Sequence, residues 1–303
     1  MAILNGIASK LKGSAGSLTF RRSAGRTIVS EKVTEVKISR TEPQQRHRTK
    51  WANVVQMYKG IRPLLNYGFE SRPKNLSDYN MFVKVNMQQT PVYLTKQKVA
   101  GGACVAAPYQ ITQGSLPAIV VTGTGQSGVT DIRLSENITS ATTVAQFAQD
   151  VVQNNADYRY GDQISFFLVK QKVNAETGIP YCQFSAAQVV LDPANDEQLT
   201  SVIGNSNGFA SVDGKLGHNG NDGDCVYCWV HSRKSSNGKT LVSSQTLLDA
   251  NSILPEYQGD EAYTLASSSY GTTMEAFLSP DGDVSNGAGG STPSGGDGGH
   301  DGL

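Results

Sequence analysis

Two cysteines three residues apart are the first residues in this chain whose types and spacing could do chemistry. Cys225 and Cys228 form a C-x-x-C pair, with His218 and His231 nearby in the sequence. Zinc takes four such sulfur and nitrogen ligands, and a pair at this spacing holds one ion where the chain turns sharply between its members. The residues around the pair are β-prone instead, and a strand places Cys225 and Cys228 on opposite faces. We therefore expect a strand and no metal, with zinc binding as the alternative.

Two glycine-containing segments resemble phosphate-binding loops. Residues 123–128 match G-x-G-x-x-G, which holds a dinucleotide only where a helix begins directly after the loop. Residues 129–134 alternate as a strand does, so a hairpin loop is predicted. Residues 238–240 resemble the end of a P-loop, but Arg233 stands where that loop requires glycine, and the context is strand–turn–strand.

Neither calcium binding nor catalysis is indicated. The acidic turns at 219–224 and 279–283 lack the twelve-residue calcium loop with its terminal Glu. The four histidines stand at 47, 218, 231 and 300, and no Gly-x-Ser-x-Gly elbow accompanies them. The sequence therefore predicts no catalytic residue, no cofactor and no enzyme.

Basic and acidic residues are divided between two parts of the chain. Residues 1–100 hold 18 Lys and Arg against 5 Asp and Glu, a net charge of +13, and residues 101–303 hold 8 against 21, a net charge of −13. Residues 251–303 contain eight acids and no Lys or Arg. Such a division suggests a basic region that meets nucleic acid or an acidic protein surface. Solubility alone is the simpler explanation.

Six cations make up the predicted binding site. They are Arg21, Arg22, Arg26, Arg46, Arg48 and Lys50. They could follow the phosphates of DNA or RNA. Because complementary charges steer association, they could also bind an acidic face of a protein partner, including another copy of this chain. We favour the protein partner and keep nucleic acid as the alternative.

Composition restricts the class of protein. Of the 303 residues, 38% are apolar, 17% are charged and 32 are glycines, which speaks against a coiled coil, a membrane protein or a large α/β enzyme. No stretch approaches about 18 consecutive apolar residues, and Asn5 and Gly6 interrupt the N-terminus before the apolar core of a signal peptide. Four cysteines are too few for a disulfide scaffold, so a reducing compartment is expected.

Periodicity predicts the N-terminal elements. Runs at 17–22 and 26–31 should form a hairpin with Leu18, Phe20 and Ile28 on one face. A helix is expected from an N-cap at Thr41 to the region of Pro63. Its predicted inward stripe consists of Trp51, Val54, Val55, Tyr58, Ile61 and Leu65. Further helices are predicted after Ser77, after Thr143 and over 259–268.

The rest of the chain has a period of two, which is typical of strands. They are predicted at 92–95, 109–112, 118–122, 129–134, 163–169, 181–185, 225–231, 240–247 and 273–278, and Asn237-Gly238 is a strong hairpin turn. The predicted fold is mainly β (α+β), with an N-terminal β-hairpin plus helices followed by immunoglobulin/fibronectin-like β-sandwich domains. The predicted domains are a basic hairpin-helix module at 1–90, a β-sandwich-like domain at 91–200, a second β domain at 201–283 and a disordered Gly-rich acidic tail at 284–303.

The N-terminal third also resembles a known family. The matching residues are Asn5-Gly6-Ile7, Gly16, Arg26, Arg40-Thr41, Gln44-Gln45, Arg48, Lys50, Trp51, Gly68-Phe69 and Tyr79-Asn80, with residues 114–117 similar to a second signature. In these positions the chain resembles an uncharacterised family from Bacteroidetes bacteria and their phages. The resemblance implies a basic hairpin-plus-helix module, immunoglobulin-like β domains and no catalytic residues, and it carries no activity.

These observations favour a non-enzymatic structural or interaction protein of a phage virion or a mobile element. The predicted partners are proteins, met by self-association or in a larger assembly, and the predicted location is the virion or the host cytoplasm, with no membrane and no secretion by a signal peptide. The alternative is a DNA- or RNA-binding protein that uses the same cations.

Overall fold

The computed structural model describes residues 2–4, 11–23, 26–33, 42–65, 68–73, 76–88, 91–123, 127–204, 206–220, 222–249 and 254–270. The fold is mixed α+β with several small antiparallel sheets, and helices take up 26% and strands 32% of the described residues. Helices therefore contribute more than the composition suggested.

The N-terminal sheet has four antiparallel strands. They are β1 (Ala2–Leu4), β2 (Gly13–Ala15), β3 (Leu18–Ser23) and β4 (Arg26–Glu31), in the order β1-β4-β3-β2. β3 and β4 pair from Leu18↔Glu31 to Ser23↔Arg26, which confirms the predicted hairpin. Its turn residues, 24 and 25, lie outside the described residues.

Six α-helices follow in the described ranges. They are α1 (Glu42–Ile61), α2 (Asp78–Asn86), α3 (Lys96–Ala100), α4 (Val144–Asn154), α5 (Leu199–Ile203) and α6 (Gly259–Ser269), with a 3₁₀ helix at Leu254–Tyr257. α1 ends shortly before Pro63, as predicted, and Ser77 caps α2 by accepting a hydrogen bond from the Asn80 N–H. The predicted cap Thr41 lies outside the described residues. Trp51, expected on the inward stripe of α1, is 38% exposed and contacts the Tyr79 ring instead.

The remaining strands form two larger sheets and one small one. They are β5 (Gln110–Thr112), β6 (Val121–Thr122), β7 (Val129–Arg133), β8 (Gln163–Val173), β9 (Pro180–Val190), β10 (Ala210–Val212), β11 (Lys215–Gly217), β12 (Cys225–Lys234), β13 (Thr240–Val242), β14 (Gln245–Thr246) and β15 (Leu248–Asp249). The central sheet has the order β13-β12-β8-β9, with β15 also on β12, a second sheet has the order β10-β11-β7-β6, and β14 pairs with β5. Gly238 has φ +77° in the turn between β12 and β13, which confirms the Asn237-Gly238 hairpin.

The central sheet separates two hydrophobic clusters. Side chains alternate between the two faces of a strand, so Val226, Cys228 and Val230 of β12 enter the first cluster, with α1 and α2. Cys225 and Trp229 enter the second, with α4, β7 and β11. The central strands β8 and β12 are therefore covered on both faces.

Residues 92–95 are a predicted strand that the structure does not contain. Val92 and Leu94 are buried, as in a strand, but the Tyr93 N–H donates to the Tyr257 carbonyl and the Leu94 N–H to the Thr49 carbonyl. These bonds lead to two different segments rather than to one ladder. Thr95 then caps α3 by accepting from the Lys98 N–H.

Several contacts cross the boundaries predicted at 90 and 200. β12 pairs with β8 over eight residues, from Cys225↔Lys170 to Ser232↔Gln163. The first cluster also combines α1 with side chains of both strands. Segments assigned to different predicted domains thus share one sheet and one core.

Candidate functional site

Three of the predicted cations are exposed on the N-terminal sheet, but they do not share a face. Arg21 lies opposite Ile28 in the β3–β4 register, and Arg22 lies opposite Thr27. Because opposed residues of an antiparallel pair share a face and neighbours in a strand alternate, Arg21 and Arg26 lie on one face. Arg22 lies on the other.

The two faces of this sheet differ in character. Leu18, Phe20 and Val29 lie with Arg22 on what we call the apolar face. Thr19 and Ser30 lie with Arg21 and Arg26 on what we call the polar face. Ile28, predicted beside Leu18 and Phe20, lies on the polar face because the register pairs it with Arg21.

The apolar face is not part of either core. Neither hydrophobic cluster includes any described residue between 11 and 33. Leu18 is 44% exposed, and Leu11 and Val33, which flank the strands, are 47% and 71% exposed. On the apolar face itself, Phe20 and Val29 are half-buried and Thr27 is fully buried, so the uncovered part lies at the Leu18 end. A small sheet with an exposed apolar side chain at one end suits a surface that another molecule covers.

The other predicted cations belong to α1. Arg48 is exposed and Lys50 is half-buried, and the Arg46 side chain lies outside the described residues. Two helical residues at this spacing are turned about 200° from each other around the axis, so Arg48 and Lys50 lie on different sides of α1. The five cations whose side chains are described do not lie together on one surface.

Sequence reasoning missed a groove between α1 and α2, which we call the α1–α2 groove. A cavity of about 960 Å³ along it is lined by Val55, Tyr58, Lys59, Arg62, Pro63, Arg72, Ser77, Asp78 and Tyr79. Through Tyr58, Arg62 and Asp78 it joins a smaller cavity of about 210 Å³, which Phe69, Phe82 and Ile111 also line. Beyond Phe69 and Asp78 a third cavity, of about 340 Å³, reaches Lys239. The groove therefore places cations and partly exposed aromatic rings next to a smaller apolar cavity, which we call the recess.

The charges of the α1–α2 groove are unevenly compensated. Asp78 pairs with Arg72. Glu70 accepts hydrogen bonds from the Ser115 N–H at 2.8 Å and from the Ser115 hydroxyl, and although burial opposes it, these bonds lower the Glu70 pKa. Lys59 and Arg62 are exposed and form no ion pair with any residue in the described ranges. The groove therefore has positive charge available for an anionic ligand.

A buried ion-pair cluster lies at one end of the central sheet, on the face that points away from α1 and α2. Asp162 accepts from the imidazole of His231 at 2.8 Å and from the guanidinium of Arg233 at 2.7 Å. Tyr158 stacks on His231 with ring centroids 4.5 Å apart. The Ser243 hydroxyl contacts the His231 backbone N–H rather than its ring. The cluster orients an imidazole but presents no nucleophile to it among the described residues.

A second histidine is held in the same way. His218 Nε2 lies 2.7 Å from Asp222, which also pairs with Lys170 at 2.7 Å. The His218 ring contacts the rings of both Phe166 and Tyr227, which also contact each other. Asp222, which sequence reasoning considered only as part of an acidic turn, is thus an ion-pair partner.

The predicted strand around the C-x-x-C pair is confirmed. Cys225 and Cys228 are buried in β12 on opposite faces, one in each hydrophobic cluster. Within the described ranges, no three His, Cys, Asp or Glu side chains are grouped to hold a metal ion.

The predicted hairpin around the G-x-G-x-x-G segment is confirmed as well. β6 and β7 pair antiparallel, and no helix follows the loop. The Gly128 N–H donates to the Tyr227 hydroxyl at 3.0 Å, so this amide is already engaged within the fold.

No helix in the described part of the chain is long and apolar enough to span a membrane. No family model, curated protein or solved structure matches the chain. The resemblance to the Bacteroidetes and phage family therefore stays a prediction.

Proposed function

We propose that this protein is a non-enzymatic assembly protein that docks onto an acidic protein partner through its N-terminal sheet. The observation that carries the proposal is the apolar face around Leu18, Phe20 and Val29, which lies outside both hydrophobic clusters. Full burial of an exposed leucine contributes about 1.5–3 kcal/mol, and Leu18, which is 44% exposed, would gain part of that. A partner protein that binds this face would bury these side chains.

The charge division supports a partner of the same kind as the chain itself. The N-terminal hundred residues carry +13 and the remainder −13, so one copy presents acidic surface to the basic sheet of another. Opposite charges accelerate encounter and fix register, while the apolar face supplies contact area. The short outer strands β1 and β2 offer further backbone contacts at the sheet edges.

The proposal includes β-sandwich domains of immunoglobulin or fibronectin type as the body of the subunit. Its support is that two antiparallel sheets, β10-β11-β7-β6 and β13-β12-β8-β9, contribute side chains to the second hydrophobic cluster. The family resemblance favours a phage virion or mobile element as the setting, in the particle or in the host cytoplasm.

Self-association at low ionic strength tests the proposal. Wild-type protein should form assemblies in sedimentation velocity, and Leu18→Ser should shift them toward monomer because it makes the apolar face polar. Thr19→Ala, on the polar face of the same strand, is the matched control and should leave the assemblies unchanged. Equal behaviour of wild type and Leu18→Ser would remove the apolar face from the proposal.

Nucleic-acid binding is the second candidate, and the shared face of Arg21 and Arg26 favours it. Two exposed cations on one face can contact neighbouring phosphates. Anisotropy of labelled duplex and single strand across a salt series should then show affinity that falls log-linearly with salt. Replacing both arginines with glutamine should reduce that slope by about 2. Absence of binding at low salt would eliminate this candidate.

A further inference from the structure

The α1–α2 groove carries an inference that does not depend on the N-terminal sheet. We propose that the groove holds the acidic C-terminal segment of the same chain, beginning at Gly271. This segment, residues 271–303, lies outside the described residues.

The last described helix, α6, packs against α1, the helix that forms one wall of the groove. The Ser269 hydroxyl near the end of α6 accepts from the Lys96 N–H at 2.8 Å. Burial raises the pKa of Tyr270, and the positive charge of nearby Arg48 partly opposes this increase. The chain therefore leaves α6 on the surface of α1.

A row of cations leads from that point into the groove. Arg48, Lys59 and Arg62 are these cations, and with Val55 between the first two they are spaced by seven, four and three residues, which keeps them on one side of α1. From Arg48 to Lys59 the distance along the helix axis is about 17 Å. Residues 271–278 can extend over about 27 Å, which is enough to reach the recess.

The segment has the chemistry that the groove lacks. Residues 271–303 contain Glu275, Asp281 and Asp283 near their start and no Lys or Arg. Lys59 and Arg62 have no ion-pair partner among the described residues. Met274, Phe277 and Leu278 are the large apolar residues beside these acids, and the recess lined by Tyr58, Phe69 and Phe82 suits such side chains.

Trp51 provides a direct measurement on the full chain. The protein has two tryptophans; Trp51 is 38% exposed beside Tyr79 of the groove, whereas Trp229 is fully buried. Acrylamide quenching of tryptophan fluorescence therefore reports mainly on Trp51, and Trp51→Phe gives the background from Trp229. A docked segment shields Trp51.

Two variants should release the segment. Lys59→Gln/Arg62→Gln removes the groove charges, and Glu275→Gln/Asp281→Asn/Asp283→Asn removes those of the segment. Losing two exposed pairs should lower the docking equilibrium about fivefold, or about 1 kcal/mol, and increase quenching of Trp51. The two sets combined should be non-additive, because they remove the same pairs.

The controls keep charge loss separate from docking. Arg133→Gln/Lys215→Gln removes two cations from the second sheet, and Asp297→Asn/Asp301→Asn removes two acids from the far end of the chain; neither should increase quenching. Unchanged quenching in both release variants, or equal increases in the controls, would overturn the proposal. In the Leu18→Ser variant, which should not assemble through the N-terminal sheet, quenching that falls as protein concentration rises would also overturn it, since the occupant would then be the segment of another copy.

Discussion

The carboxylate of Asp162 joins two elements that are far apart in the sequence. His231 and Arg233 on β12 donate to it, and so does the backbone N–H of Arg159 just before β8. Burial alone would raise the pKa of Asp162, but these hydrogen bonds lower it to about 2. The group is therefore charged and paired at neutral pH.

Replacing Arg233 with glutamine should destabilise the protein. The substitution leaves a buried carboxylate with fewer donors, which costs about 2 kcal/mol in free energy of unfolding. Urea unfolding at pH 7 measures this loss, and exposed Lys234→Gln next to it is the matched control. A loss no larger than that of Lys234→Gln would show that Arg233 does not stabilise the carboxylate.

The same carboxylate makes stability depend on pH in a defined window. The folded pKa of Asp162, about 2, lies below the unfolded value near 4. Its contribution is therefore complete above about pH 4 and is lost as pH falls through about 2. In urea titrations between these values, Asp162→Asn should show a shallower decline than wild type. A parallel decline would assign the acid sensitivity to other groups.

Sequence reasoning could not find these residue-scale pairs. His231 was considered as a possible zinc ligand and as a possible catalytic histidine, but not as a partner of Asp162, which is 69 residues away in the chain. The β propensity around Cys225 and Cys228, in contrast, is local, and it correctly separated the two thiols. Properties set by neighbouring residues could be predicted from the sequence, whereas side-chain pairs between segments that are distant in the chain could not.

Among the elements, α4 shows how a short motif fixes a helix start. The Thr143 side chain accepts from the Gln146 N–H at 3.2 Å, and the Gln146 side chain accepts from the Thr143 N–H at 2.9 Å. This capping box satisfies two amides that the first turn leaves without partners. The helix then directs Phe147 and Val151 into the second cluster.

Removing this cap should destabilise the protein measurably. Thr143→Ala should lower the free energy of unfolding by about 1 kcal/mol. Gln149→Ala, on the exposed side of the same helix, should change it little and serves as the control. Chemical denaturation of both variants checks the difference, and equal stabilities would show that the cap is not needed.

The strand predicted at 92–95 failed because its side chains alternate in burial, although no neighbouring strand in the described ranges pairs with it. Val92 and Leu94 alternate in burial like strand residues, yet their segment bonds to two separate parts of the chain. Ile28 was placed on the wrong face because hairpin register, not hydrophobicity, decides which side chains lie together. The stop of α1 before Pro63 was predictable because proline acts locally.

For the whole molecule, the charge division and the strand-rich second half were readable from sequence. The packing of α1 onto the same core as β8 and β12 was not, because it joins segments more than a hundred residues apart. The α1–α2 groove is a product of that packing. Its cations are unremarkable in the sequence and become a surface only when Asp78 and Tyr79 are brought beside α1.

The position of β12 has a consequence for how the molecule melts. The two faces of β12 line different hydrophobic clusters. Disrupting one cluster therefore destabilises the strand, and with it the other cluster. Heating should then give one calorimetric peak whose calorimetric enthalpy equals the van't Hoff enthalpy. Two resolved peaks would mean that the halves of the interior come apart independently despite the strand they have in common.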